Sequence, residues 1–306
     1  MTEPLDGHRL HGLLFNAAAA VCFGLQGIFL RFAYDHGTSV SGATAIRALA
    51  VAPVLGLLLQ SRDRRARARA AASRLVPMAC ISASNTVTYF VAVDRMSPAL
   101  VTLVIYVYPA LAVLGSWLLG WTRLTGLTAV ALSTTLGGVL LTIGWPEGSV
   151  DPLAVGLALC NATFFACWLL LAQSALRQAD AVTCFAAATG SAQVAVLVGS
   201  FVLANPELGS GSAIVACLLG AGVVSTVIAF LLQLHGIARL GGAATALVTS
   251  LEIVTVVVLS AIFFDDPVGG GIVVGGLLVV TGAALAPLSV RPVPIRGPAT
   301  APAEGQ

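Results

Sequence analysis

Ten apolar runs, each close to 20 residues, leave this chain little freedom in what it can become. They lie at about 12–32, 41–60, 75–93, 97–119, 124–143, 153–175, 181–203, 212–234, 242–264 and 269–288. A helix needs about 20 apolar residues to cross the hydrocarbon core of a bilayer, and only helices and closed barrels satisfy their backbone there. The runs therefore predict an all-α integral membrane protein with ten transmembrane helices. Composition agrees, since 58% of the 306 residues are hydrophobic and 9% are charged, against roughly 25% charged in a soluble domain. Too little charge is present to cover a soluble enzyme, a nucleic-acid binder or a disordered chain. The first run continues without a polar break to Phe32, past the length of a signal-peptide apolar region, and reads as a span.

The charges that remain sort by loop. All 15 Lys/Arg positions hold Arg, which excludes lysine nucleophiles. Between the second and third runs Arg62, Arg64, Arg65, Arg67, Arg69 and Arg74 face only Asp63. Cytoplasmic loops retain positive charge, so this loop is expected inside. Ten spans then place both termini in the cytoplasm of a cell bounded by this plasma or inner membrane, together with Arg9, Arg123, Arg177, Arg239, Arg291 and Arg296. The opposite loops keep Arg31 and Arg95 but collect Asp35, Asp94, Glu147, Asp151, Glu207, Asp265 and Asp266. The Pro/Ala-rich tail, 291–306, has no periodic apolar face and is expected to be disordered. Cys22, Cys80, Cys160, Cys167, Cys184 and Cys217 fall inside apolar runs with no CxxC pair, which points to packing and not to a disulfide framework or a zinc site.

The two halves resemble each other. A shift of 144 residues aligns Arg95 with Arg239, Ala99 with Ala243, Leu124 with Val268 and Gly138 with Gly282. A shift of 145 aligns Asn16 with Asn161 and Cys22 with Cys167. Each half holds five runs, an odd number, so the second half must enter the membrane inverted. The expected organisation is a repeat over 1–149, a second over 150–290, and the tail. Inverted repeats with a site near the bilayer midplane are the pattern of alternating-access transporters. Gly137-Gly138, Gly220/Gly222 and Gly275-Gly276 offer small surfaces for close helix contact.

Two segments carry a family resemblance. Ala92 to Gly120, AVDRMSPALVTLVIYVYPALAVLGSWLLG, and the stretch from Ile237, IARLGGAATALVTSLEIVTVVVLSAIFFDDP, are similar to paired signatures of the drug/metabolite transporter superfamily, in its EamA-like ten-helix branch. The chain departs from the family pattern at several places. Glu252 is followed by Ile253 where the family has Glu-Pro, Asp266-Pro267 stands for the later Glu-Pro, Tyr108-Pro109 fills the equivalent first-half place, and Thr122-Arg123 replaces Glu-Arg. The resemblance covers about 12–288 and implies transport of small molecules, often outward.

Helical spacing selects the polar side chains that share faces. Ser82, Asn85 and Tyr89 lie at i, i+3 and i+7 in the third run. The repeat partners of Ser82 and Tyr89 are Thr226 and Gln233 in the eighth, so two polar faces are expected to look at one space. Thr245, Thr249 and Glu252 form a stripe in the ninth run whose first-half counterparts are Val101, Ile105 and Tyr108. One polar and one apolar wall suit an amphipathic solute; bonds between packed helices would use the same pattern. Gln26 and Trp168 join the candidates as a deep polar group and a stacking surface. Arg47 is the one arginine well inside a run; it either snorkels to the interface or binds a substrate carboxylate. Glu252, near the middle of its run, is the sharpest candidate, because an intramembrane carboxylate is functional by default. It either carries a coupling proton, pairs with a cationic substrate group, or is pinned by an ion pair, with Arg47 the available partner.

These readings converge on a secondary transporter, an exporter by the family resemblance, of small amphipathic organic solutes such as amino acids or related metabolites. It would act by alternating access as a monomer or homodimer in the lipid bilayer, with no nucleic acid partner. No GxxxxGK[ST] loop is present, so energy would come from a proton or solute gradient with no cofactor. No nucleophile and base pair or HExxH spacing supports an intramembrane enzyme. A non-transporting scaffold or sensor, and efflux of lipophilic cationic drugs, are the alternatives.

Overall fold

The computed structural model describes residues 7–144, 150–203 and 206–290. The expected tail at 291–306 and Glu147 lie outside them. Among the described residues ten helices are long and apolar enough to cross a membrane: span 1 (Gly7–Asp35), span 2 (Val40–Leu57), span 3 (Ala72–Arg95), span 4 (Leu100–Leu118), span 5 (Gly126–Ile143), span 6 (Pro152–Ala175), span 7 (Ala181–Phe201), span 8 (Gly211–Leu240), span 9 (Gly242–Phe264) and span 10 (Gly270–Ser289). Side-chain oxygens of Ser39, Ser97, Thr125, Asp151, Asp180 and Ser210 accept from backbone N–H groups that open six of these helices, satisfying donors that have no partner within the helix. Leu118, Ile262 and Leu277 stand on the outer surface, 70%, 65% and 63% exposed, as lipid-facing side chains would.

Helix pairing repeats with a two-fold pattern. Span 3 packs on span 6, and span 8 on span 1; span 4 packs on span 6, and span 9 on span 1; span 2 packs on span 8, and span 7 on span 3. Each pair becomes the next when every span is exchanged for the one five places away. Spans 5 and 10 pair with each other, as do 2 with 7 and 4 with 9. This is the arrangement of two five-helix repeats, inverted because each has an odd number of crossings.

Small residues set the closest approaches. A Cβ at Gly138 would lie 2.6 Å from the Gly275 carbonyl oxygen, and one at Gly275 would lie 2.6 Å from that of Gly138, so spans 5 and 10 meet backbone to backbone. Gly220 and Gly222 admit Phe29 and Ala50, whereas Gly137 faces open space. Asparagines add specific bonds. Asn161 Nδ2 donates to the Asn85 carbonyl at 2.7 Å and Asn85 Nδ2 to that of Asn161 at 3.1 Å, joining spans 3 and 6. Its repeat counterpart Asn16 donates to Thr245 Oγ1 at 3.0 Å, joining spans 1 and 9.

The arginine-rich segment is not an open loop. Arg62–Ala70 forms a helix capped by Ser61, tied by Arg67 to Asp180 at 2.9 Å and followed by Arg74, which donates to Ser174 Oγ at 2.6 Å. Spans 1 and 8 also outrun their apolar runs, to Asp35 and Leu240, because a helix that has crossed the hydrocarbon continues into the polar layer while its backbone bonds hold. At the opposite end from the arginine helix, Arg31 pairs with Asp266 and Arg95 with Asp151. There Thr38 and Leu208 form a short antiparallel bridge, with Ser39 bonded to Glu207, linking the loop between spans 1 and 2 to that between spans 7 and 8.

All six cysteines are free; Cys184 and Cys217 are buried, and Cys80 and Cys160 are exposed.

Candidate functional site

The helices that build the centre are irregular. Span 4 breaks at Tyr106 and Val107, between Pro98–Ile105 and Tyr108–Leu118. Span 9 breaks at Ser250, between Gly242–Thr249 and Leu251–Phe264. Tyr106 and Ser250 are equivalent at the 144-residue shift. Pro109 explains the first break, since it cannot donate to the helix and its ring crowds the preceding turn. The second persists with Ile253 at the proline place. Corresponding interruptions in two repeats point to a binding region. Spans 7 and 8 carry π-helical stretches at Phe185–Gly190 and Ala216–Ile228, a local widening that recurs at functional sites.

Between these elements lies a cavity of about 170 Å³. Gln26 and Arg47 enter from spans 1 and 2, and Ile81, Ser82, Asn85 and Thr86 from span 3. Span 6 supplies Phe164, Phe165 and Trp168; spans 7 and 8 supply Thr189, Gln193, Thr226 and Phe230. Ser82 and Thr226, the equivalent positions of the two repeats, both line it. Trp168 meets Phe230 edge to face at 5.3 Å, Phe230 meets Phe23 at 5.1 Å, and Phe165 meets Tyr108 at 4.8 Å. An aromatic seam thus runs from span 4 through spans 6 and 8 to span 1.

Four lining side chains have a buried polar atom without a hydrogen-bond partner in the protein: Arg47 Nε, Trp168 Nε1, Thr189 Oγ1 and Gln193 Oε1. Leaving such a group without a partner costs about 1–3 kcal/mol. All four belong to residues that line this one cavity. A separate groove lined by Val21, Leu251, Val254 and Val258 is almost wholly apolar.

The side chains singled out in the sequence divide between this cavity and the packing around it. Gln26, Arg47, Ser82, Asn85, Trp168 and Thr226 line the cavity. Thr245, Thr249 and Gln233 do not: Thr245 accepts from Asn16, and Thr249 accepts from Gln233 Nε2 at 3.2 Å while donating to the Thr245 carbonyl. Tyr108 is buried beneath span 9, donating to the Ala246 carbonyl at 3.3 Å. Tyr89 lies outside the lining, within electrostatic range of both Arg47 and Glu252. Arg47 does not snorkel away from the interior, since its Nε is buried at the cavity.

Glu252 stands in the first turn of the second half of span 9, where the positive end of a helix favours negative charge. Tyr89, Tyr106 and Tyr108 are within its electrostatic range. The ion pairs among the described residues are Arg31–Asp266, Arg67–Asp180 and Arg95–Asp151. The alternative in which Glu252 is pinned by an ion pair with Arg47 is therefore not realised among the described residues. Arg47 lies in span 2, facing the cavity with spans 3, 6, 7 and 8, whereas the break in span 9 sets Glu252 beside the tyrosines of spans 3 and 4.

Sequence reasoning missed Thr189 and Gln193. Both are polar, four residues apart on one face of an apolar span, the same signal that selects Ser82 and Asn85. Phe164, Phe165 and Phe230 carry no signal that separates a cavity wall from core packing.

The EamA-like transporter family model matches the chain twice, at residues 10–144 and 152–287. A solved crystal structure titled only as that of a protein superposes with a TM-score of 0.72 at 19% identity, covering 92% of this chain and 99% of its own. That likeness shows the shared fold. No curated protein matches the chain. With both halves matched and ten spans paired as two repeats, the chain belongs to the EamA-like transporter family.

Proposed function

We propose that this protein is a secondary transporter that moves small amphipathic organic solutes, the class that includes amino acids and related metabolites, by alternating access around the central cavity. The observation that carries the reading is that the two inverted repeats contribute equivalent side chains, Ser82 and Thr226, to one polar and aromatic space. Rocking one repeat against the other would expose that space to each membrane face in turn. Export is the direction that family membership supports. The arginine asymmetry supports cytoplasmic termini, with the Arg62–Ala70 helix on the inner face.

Glu252 is assigned to gradient coupling and not to the substrate. Its place at the break of span 9, with neither an ion pair nor a hydrogen bond among the described residues, supports a carboxyl group free to exchange a proton as the repeats move. A lipophilic-cation substrate is disfavoured, since no carboxylate is among the lining residues.

The test is flux into liposomes holding the purified protein, with a panel of amino acids, nucleobases, organic acids and lipophilic amines, with and without a pH gradient. At least one solute should move saturably and faster under the gradient. Glu252→Gln should remove the gradient's effect while leaving solute exchange. Flux in the wild type that ignores the gradient would contradict the coupling role. Rates equal to protein-free liposomes for every class would contradict transport.

A further inference from the structure

Arg47 is the one charged side chain among the described residues that line the cavity. Its guanidinium holds five donors and no acceptor, and it remains charged. The ionisable groups within its electrostatic range are Tyr34, Tyr89 and Cys217, none of them a carboxylate. A buried cation with no counter-ion is costly, and a ligand anion relieves that cost directly. The indole Nε1 of Trp168, also unpartnered, can only donate. Trp168, Thr189 and Gln193 are 3%, 2% and 8% exposed, so bulk water does not satisfy their unpartnered atoms.

The rest of the wall is uncharged, with Gln26, Ser82, Asn85, Thr86 and Thr226 as its neutral polar groups beside an aromatic side. Phe164, Phe165 and Phe230 present rings, and the volume of about 170 Å³ is near the roughly 150 Å³ of a cavity that takes benzene. Resting on the transport reading above, and narrowing its amphipathic solutes to acids and away from zwitterionic amino acids, we propose that the solute class is small aromatic carboxylates, with the carboxylate held by Arg47 and Trp168 Nε1 and the ring among the phenylalanines. A zwitterion or an amine of the same size would bring an ammonium group with no carboxylate to meet it, at a desolvation cost.

Benzoate, phenylglycine and benzylamine share one ring and differ in charge, so they isolate this question. The purified protein is titrated with each, reading heat and the rise in Tm that a ligand of the folded state produces. Benzoate should bind at least tenfold more tightly than the other two. Arg47→Gln should remove that preference and Arg47→Lys retain part of it. Trp168→Phe keeps a ring, deletes one donor and should weaken benzoate severalfold, which covers an Arg47→Gln protein that does not fold. Equal or tighter binding of phenylglycine or benzylamine, no binding of benzoate, or benzoate binding indifferent to these variants would overturn the assignment. Liposome flux separates the two claims. Benzoate that binds while no solute of the panel moves upholds the anion site and contradicts transport; another solute that moves while benzoate neither binds nor moves overturns the anion site and leaves transport standing.

Discussion

Arg47 and Glu252 show how position, and not residue type, decides what an intramembrane charge does. Arg47 faces a polar and aromatic space shared by several helices, whereas Glu252 sits at a helix break among tyrosines. Asp180, outside the spans, illustrates the opposite case of a charge fully committed to structure. Partial burial works against its ionisation, but the Thr183 hydroxyl and N–H and the Arg67 guanidinium outweigh it and hold the carboxyl below its ordinary range. A carboxylate lowered in this way stabilises its contacts above the unfolded pKa of about 3.9, and that contribution disappears as pH falls through the folded value. The arginine helix should therefore stay tied at about pH 5 and loosen from the start of span 7 only as pH falls below the ordinary carboxylate value of about 3.9. A spin label at Ala66 would report this as a gain in mobility, and Asp180→Asn should show that mobility already at neutral pH. A label equally mobile across the range, and unchanged in the variant, would contradict the tie.

At the scale of elements, close packing of spans 5 and 10 is the most exacting requirement. A side chain at Gly138 would meet the Gly275 carbonyl oxygen and the Val279 N–H at 2.6 and 2.7 Å, both backbone atoms that cannot swing aside. Gly138→Val should cost about 1–3 kcal/mol by overpacking, read as a lower Tm in detergent. Gly137→Val, one residue away and facing open space, should stay near wild type; equal losses in both would mean that helix propensity, and not the interface, is being measured. The spans themselves were legible, because twenty apolar residues have few other uses. The break at Ser250 was not, since its usual sign is a proline and Ile253 stands there instead; it follows from symmetry with Tyr106, where Pro109 is visible. The helix at Arg62–Ala70 was hidden for another reason: with no apolar face, only its Ser61 cap and the contacts of Arg67 announce it.

Across the whole molecule, the internal repeat was readable as a weak match between halves and emerges in the structure as exchangeable helix pairs. The cavity was half readable. Ser82, Asn85 and Thr226 line it as members of polar faces, yet Thr245 and Thr249 form an equally regular stripe whose hydroxyls are engaged by Asn16 and Gln233. Spacing places a side chain on a face, but cannot say whether a neighbouring helix or a solute meets it. Thr189 and Gln193 carry the same spacing signal and do line the cavity. The central claim is that this space, framed by the two inverted repeats, opens to each side in turn. It is tested most directly with all six native cysteines replaced and a single cysteine placed at Ser82 or at Thr226, labelled by a membrane-impermeant thiol reagent in right-side-out and in inside-out vesicles. Alternating access predicts that each position reacts from both faces and is protected at both by a transported solute; reaction from one face alone, in every condition, would contradict it.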